Sequence, residues 1–145
     1  MDQDLRRDII LDNYSHPSNK EVIDKNKYSN YIYVNSNNSS CIDNIDLYIL
    51  IEDNIIKDIK FDGEACAIST ASTSIMTKEL IGKTIKDAYT YIENFTNMVD
   101  EKSYDKNMLN EAVVFDEIYK QANRKNCVLL PYKGILEALK KYNNN

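Results

Sequence analysis

Apolar residues near the N-terminus recur at helical spacing: Leu5, Ile9, Ile10 and Tyr14. This spacing predicts an amphipathic helix over residues 3–15. The helix is expected to stop before His16-Pro17, because the residue that precedes a proline avoids the α region. Residues 18–29 are mostly polar and predict a loop. The chain therefore opens with one helix and a connection to the next element.

Runs of β-branched and aromatic residues then predict three strands. Residues 31–34 form the first run, and the polar residues 35–40 predict a turn-rich connection. In residues 45–51 apolar side chains alternate with others, and a second apolar run covers residues 55–61. Three polar residues separate these two runs, which predicts a β-hairpin that ends at Asp62-Gly63.

The second half of the chain predicts helices only. They cover residues 65–80, 84–98, about 106–122, and a last segment with Pro131 in its first turn that ends near Tyr142. Thr84 and Asp87 have the spacing of a capping box. This order predicts an α+β fold, in which a small three-stranded antiparallel sheet carries helices on one face. We expect a single domain over residues 1–145.

Charge and composition restrict the function. The formal net charge is -5, and nucleic acids and anionic membranes both require a basic face, so neither is an expected partner. No apolar stretch approaches the roughly 18 residues needed to cross a bilayer. The N-terminal segment is too charged for a signal peptide. Together with an odd number of cysteines, this predicts a cytoplasmic protein with free thiols.

Three cysteines and one aspartate carry the candidate chemistry: Cys41, Asp43, Cys66 and Cys127. Thiolates and carboxylates are ligands that Zn²⁺ accepts. An extended backbone would point Cys41 and Asp43 to the same side. Cys66 is expected at the start of a helix, where the helix dipole favours a thiolate, and Cys127 just before the last helix. The cysteines include no CxxC pair, and from spacing alone buried apolar cysteines remain an alternative.

Four segments together resemble the NifU/IscU-like iron–sulfur assembly proteins: LRRDIILDNYSHPSNK at 5–20, CID at 41–43, FDGEACAIS at 61–69 and RKNC at 124–127. The resemblance covers almost the whole chain. The family's variant called SufU is the better match. Residues 67–126 leave room for its insertion, Arg124 matches its pattern, and Asn126 stands where IscU proteins carry a histidine. Ile42 replaces a family glycine.

The resemblance implies a site and an activity. The family's ligands fall on Cys41, Asp43, Cys66 and Cys127, which would hold Zn²⁺. Cys41 would accept persulfide sulfur from a PLP-dependent, SufS-like cysteine desulfurase, and Arg124 would be a charge partner of the site. Sulfur would pass to a downstream iron–sulfur scaffold or to apo-proteins.

Two alternatives use the same residues. In the first, the four ligands hold iron or a [2Fe–2S] cluster that is assembled and transferred. In the second, the zinc site is structural and no transfer takes place.

Overall fold

A computed structural model describes residues 1–38 and 42–144. Its elements are α1 (Gln3–Ser15), β1 (Ile32–Asn37), β2 (Asn44–Glu52), β3 (Ile55–Glu64), α2 (Ala67–Leu80), α3 (Ile85–Val99), α4 (Lys106–Leu109), two 3₁₀ turns (Asn110–Phe115 and Ile118–Lys120) and α5 (Ala122–Asn143). The strands form one antiparallel sheet in the order β1-β2-β3. The predicted α+β fold is therefore confirmed.

Several elements begin and end where the sequence predicts. The first helix covers residues 3–15 as expected. The Thr84 hydroxyl accepts a hydrogen bond from the backbone N–H of Asp87, so the predicted cap opens α3. Asp53 and Asn54 connect β2 and β3 with positive φ at both residues, the conformation that a tight hairpin turn needs. None of the helices in the described ranges is long and apolar enough to span a membrane.

Both ends of the sheet extend further than the polar residues predict. β1 continues to Asn37, because Asn35 and Asn37 pair with Asp46 and Asn44 of β2. Residues 39 and 40 of the predicted connection lie outside the described residues. β3 continues through Gly63, which pairs with Ile45. Ladder hydrogen bonds to β2 satisfy the backbone, so polar side chains do not end the strands.

The prediction of one helix over residues 106–122 is wrong. The segment consists of the short helix α4 and two 3₁₀ turns, with a break at Asn110, whose φ is 51°. Four consecutive residues, Ala112 to Phe115, are buried. An α-helix needs negative φ at every residue, so the helix cannot run through Asn110, and the segment continues as 3₁₀ turns.

The prediction that Pro131 begins the last helix is also wrong, because α5 begins at Ala122 and contains Pro131 in its interior. A proline lacks the N–H that would bond the carbonyl four residues earlier, here that of Cys127. Ser69 Oγ of α2 lies 3.0 Å from this Cys127 oxygen, and Ser72 of α2 donates to the neighbouring Val128 oxygen at 2.7 Å. Helix α2 therefore contacts α5 in the turn that precedes the proline.

Helix α5 packs closely on the sheet and fixes the position of Cys127. A Cβ at Gly134 would lie 2.5 Å from Leu47 Cδ1 of β2, so a larger residue would require the Leu47 side chain to move. The Ser36 hydroxyl of β1 donates to the Leu130 oxygen at 2.7 Å. One continuous hydrophobic core joins the sheet to α2, α3 and α5. The ends of β2, α2 and α5 that carry the candidate ligands are therefore held by rigid elements.

Candidate metal centre

Asp43 lies directly before β2 and is almost completely buried, with 1% of its surface exposed. Its Oδ1 accepts a hydrogen bond from the backbone N–H of Cys66 at 2.7 Å. Its Oδ2 accepts one from the Ser69 hydroxyl at 2.6 Å. Both donors belong to the first turn of α2, where the helix dipole also favours negative charge. The fold therefore holds the carboxylate in place at the start of this helix.

Cys66 is the N-cap residue of α2. Its Sγ accepts a hydrogen bond from the backbone N–H of Ser69 at 3.4 Å, in the position that a serine or aspartate oxygen usually takes. The side chain is partly exposed. Cys66 therefore lies at the start of a helix, as the sequence predicts.

Cys127 lies inside α5 and not before it, so the expected dipole advantage is absent at this cysteine. Its side chain is buried. Burial raises the pKa of the Cys127 thiol, and the nearby Cys66 and Asp43 raise this pKa further. Without a cation at the site, Cys127 is therefore a neutral thiol at pH 7. A dication would reverse this preference, because metals bind the thiolate.

The structure brings the ligand atoms of Asp43, Cys66 and Cys127 within 4.8 Å of one another. Cys66 Sγ lies 3.7 Å from Asp43 Oδ2. In a tetrahedral zinc site with the usual bond lengths, two sulfurs lie about 3.8 Å apart and a sulfur and an oxygen about 3.5 Å apart. Two thiols and a buried carboxylate at these distances fit Zn²⁺ or a thiolate-bound iron centre.

The fourth predicted ligand, Cys41, lies outside the described residues. Its role as ligand and sulfur acceptor therefore stays a prediction. The neighbouring Ile42 is 71% exposed, so the side chain that replaces the family glycine points into solvent.

The two cations before Cys127 have different surroundings. Lys125 Nζ forms an ion pair with Asp100 at 3.3 Å. The side chain of Arg124 is half-buried and makes no hydrogen bond or ion pair within residues 1–38 and 42–144. Arg124 precedes Cys127 by three residues, or about one helical turn, so the two lie on neighbouring positions of α5. Its assignment as charge partner remains a prediction.

Sequence reasoning missed Ser69, which lies in the run of small hydroxyl residues 69–74 that predicts only close helix packing. That packing is present, since all six residues are buried. Ser69 differs from its neighbours because its hydroxyl contacts the carboxylate of Asp43. Its position three residues after Cys66 was the available signal, since residues at that spacing on a helix are neighbours.

The family model for the NifU-like N-terminal domain matches residues 5–145. A Bacillus subtilis relative named zinc-dependent sulfurtransferase SufU is 34% identical over 138 residues, which are 94% of this chain and 90% of the relative. A Thermotoga maritima relative named iron–sulfur cluster assembly scaffold protein IscU is 36% identical over 104 residues, with 72% and 73% covered.

Solved structures show the same fold. One, from Fervidobacterium islandicum, is described as an iron–sulfur cluster assembly scaffold for the SUF system. Its TM-score is 0.80 at 33% identity, and the match covers 90% of this chain and 93% of that one. A NifU-like N-terminal protein from Brucella abortus has a TM-score of 0.81 at 15% identity, with 94% and 93% covered. At that identity the second likeness concerns the fold alone.

Proposed function

Because the chain belongs to the NifU-like N-terminal domain family, we propose that it is an iron–sulfur cluster assembly protein that accepts persulfide sulfur on Cys41. The donor is a PLP-dependent cysteine desulfurase of the SufS type. The group formed by Asp43, Cys66 and Cys127 carries this proposal, because it supplies three of the four ligands for a metal. The Bacillus subtilis relative, which spans most of this chain, is named a zinc-dependent sulfurtransferase.

In the proposed step the Cys41 thiolate attacks the outer sulfur of a persulfide on the desulfurase. A new S–S bond forms on Cys41, the S–S bond of the donor persulfide breaks, and the desulfurase cysteine leaves as a thiolate. The exchange needs no external oxidant. Cys41 then holds a persulfide that a downstream iron–sulfur scaffold or an apo-protein can receive.

Four side chains would hold Zn²⁺: Cys41, Asp43, Cys66 and Cys127. A bound zinc ion keeps cysteine ligands deprotonated at neutral pH. Within the protein, the first turn of α2 holds the Asp43 carboxylate, and burial excludes water from Cys127. Three thiolates and a carboxylate leave a formal charge of -2 on a site with Zn²⁺. We assign Arg124 to offset this charge, since Lys125 is paired with Asp100.

We also propose that the protein works in the cytoplasm as one domain over residues 1–145. Free thiols persist in a reducing compartment. The single hydrophobic core supports the domain assignment.

The test combines the protein with a cysteine desulfurase, cysteine and a reductant, and measures alanine and sulfide. Wild-type protein should raise both rates well above those of the desulfurase alone. Cys41→Ala should abolish the stimulation while retaining metal, since three ligands and a water can still hold zinc. Wild-type protein that binds zinc but leaves the desulfurase rate unchanged would contradict sulfur transfer and favour a structural zinc site.

Arg124 and Lys125 offer a matched pair for the charge assignment. Arg124→Lys should lower the stimulated rate more than it lowers zinc content, because lysine keeps the charge but loses the planar fork of donors. Lys125→Arg should leave both unchanged, since arginine keeps the charge that pairs with Asp100. Equal effects of the two substitutions on the rate would refute a specific role for Arg124.

A second candidate function is assembly of a [2Fe–2S] cluster on the same ligands. The relatives named IscU scaffolds favour it. The two candidates differ in the protein isolated without air. Sulfur transfer predicts a colourless protein with about one zinc ion per chain, whereas a scaffold predicts a brown protein that contains iron and sulfide.

A further inference from the structure

Ser69 contacts all three of the candidate ligand residues that the structure describes. Its hydroxyl donates to Asp43 Oδ2 at 2.6 Å, and its backbone N–H donates to Cys66 Sγ at 3.4 Å. The same Oγ lies 3.0 Å from the backbone oxygen of Cys127. The residue is fully buried.

The hydroxyl of Ser69 has one proton and two acceptors. The contact with Asp43 is the shorter, and a hydrogen bond to a carboxylate is stronger than one to a neutral carbonyl. The proton is therefore assigned to Asp43. The oxygen of Cys127 is available as a second acceptor because Pro131 has no N–H to bond it.

We propose that Ser69 is the positioning residue of the metal centre, which orients the Asp43 carboxylate toward the two thiols. This role rests on the proposed function, because it assumes that Asp43, Cys66 and Cys127 bind a metal. With Oδ1 held by the N–H of Cys66 and Oδ2 by Ser69, the carboxylate cannot rotate. The Oδ2 atom lies 3.7 Å from Cys66 Sγ. Hydrogen bonds of this kind raise metal affinity by fixing a ligand in its binding orientation.

Ser72 provides the matched control. It lies three residues further along α2, is equally buried, and its hydroxyl donates to a backbone oxygen of α5, that of Val128, at 2.7 Å. It thus shares the contact between α2 and α5 and lacks the contact with Asp43. Ser69→Ala and Ser72→Ala remove one buried hydroxyl each, and only the first removes a donor to the carboxylate.

The experiment titrates metal-free protein with Co²⁺, follows the thiolate-to-cobalt and ligand-field absorption, and measures Zn²⁺ affinity by competition with a chelator. Ser69→Ala should lower both affinities about 10- to 100-fold and change the ligand-field spectrum. Ser72→Ala should lower them by less than about threefold. In a double-mutant cycle, Ser69→Ala should cause little further loss once Asp43→Ala is present, because the two act through one contact.

Ser69→Thr separates the hydroxyl from the volume of the side chain and covers the case in which Ser69→Ala does not fold. Threonine keeps the donor and adds a methyl group at a buried position, so metal affinity should stay within about threefold of wild type. A tenfold loss in Ser69→Thr would overturn the proposal. So would equal losses in Ser69→Ala and Ser72→Ala, or an undiminished effect of Ser69→Ala beside Asp43→Ala. Wild-type protein that binds neither metal would instead refute the metal site.

Discussion

Gly63 connects the backbone of the sheet to the candidate metal centre. It lies in β3 opposite Ile45 with a φ of +125°, and a Cβ added there would overlap the backbone oxygen of Asn44. Asn44 follows Asp43 directly. We therefore expect Gly63→Ala to destabilise the protein and also to displace the residue beside a candidate ligand.

Two effects determine the size of this loss. An L-residue at this φ costs about 1–3 kcal/mol. Relief of the overlap requires movement of the β2 backbone, and overpacking of this kind costs about 1–3 kcal/mol more. A total of about 4 kcal/mol is expected. For a chain of 145 residues the entropy of unfolding is about 0.3 kcal/mol per kelvin, so Tm should fall by about 13 °C.

Gly82→Ala isolates the overlap. Gly82 also has a positive φ, +95°, but nothing lies within 4 Å of an added Cβ. The Gly82→Ala variant should lose stability from backbone strain alone, so its loss should be about 2 kcal/mol smaller than that of Gly63→Ala. Denaturant unfolding of the zinc-loaded variants gives both losses, and Co²⁺ titration tests the displacement of Asp43. Equal losses in the two variants, with equal Co²⁺ affinity, would refute the reasoning.

Two further predictions concern metal and pH. Removal of zinc with a chelator should unfold much of the domain, and so should Cys66→Ala or Cys127→Ala. The ligands come from distant segments, so metal binding is part of the folding free energy and contributes on the order of 10 kcal/mol. An unchanged thermal transition would contradict this. A hydrogen bond to Asp46 and, to a smaller extent, burial raise the pKa of Tyr33 from 10.0 to about 12. Between these pH values the folded protein keeps a proton that the unfolded chain loses. The free energy of unfolding should therefore fall as pH rises from 10 to 12. Tyr33→Phe should flatten this fall in urea unfolding, whereas Tyr14→Phe, which removes an exposed phenol without a hydrogen bond to a carboxylate of the described residues, should not.

The sequence by itself determined the elements whose signals are local. Helix α1, the hairpin of β2 and β3, and the cap that opens α3 follow from spacing or from residues two or three positions apart, because the interactions that stabilise them are short-range. The motifs around Asp43, Cys66 and Cys127 were sufficient to indicate the family. They also named three residues that lie together in the fold.

Only the tertiary structure decided where the last helix begins and what surrounds the ligands. A proline in a sequence predicts a helix start, and only the packing of α5 against α2 and β1 shows that this helix runs through Pro131. Burial of residues 112–115 likewise depends on a core that no local pattern contains. The position of Cys127 inside a helix, its raised pKa and the contact of Ser69 with Asp43 all arise from segments far apart in sequence, which meet only when the chain packs.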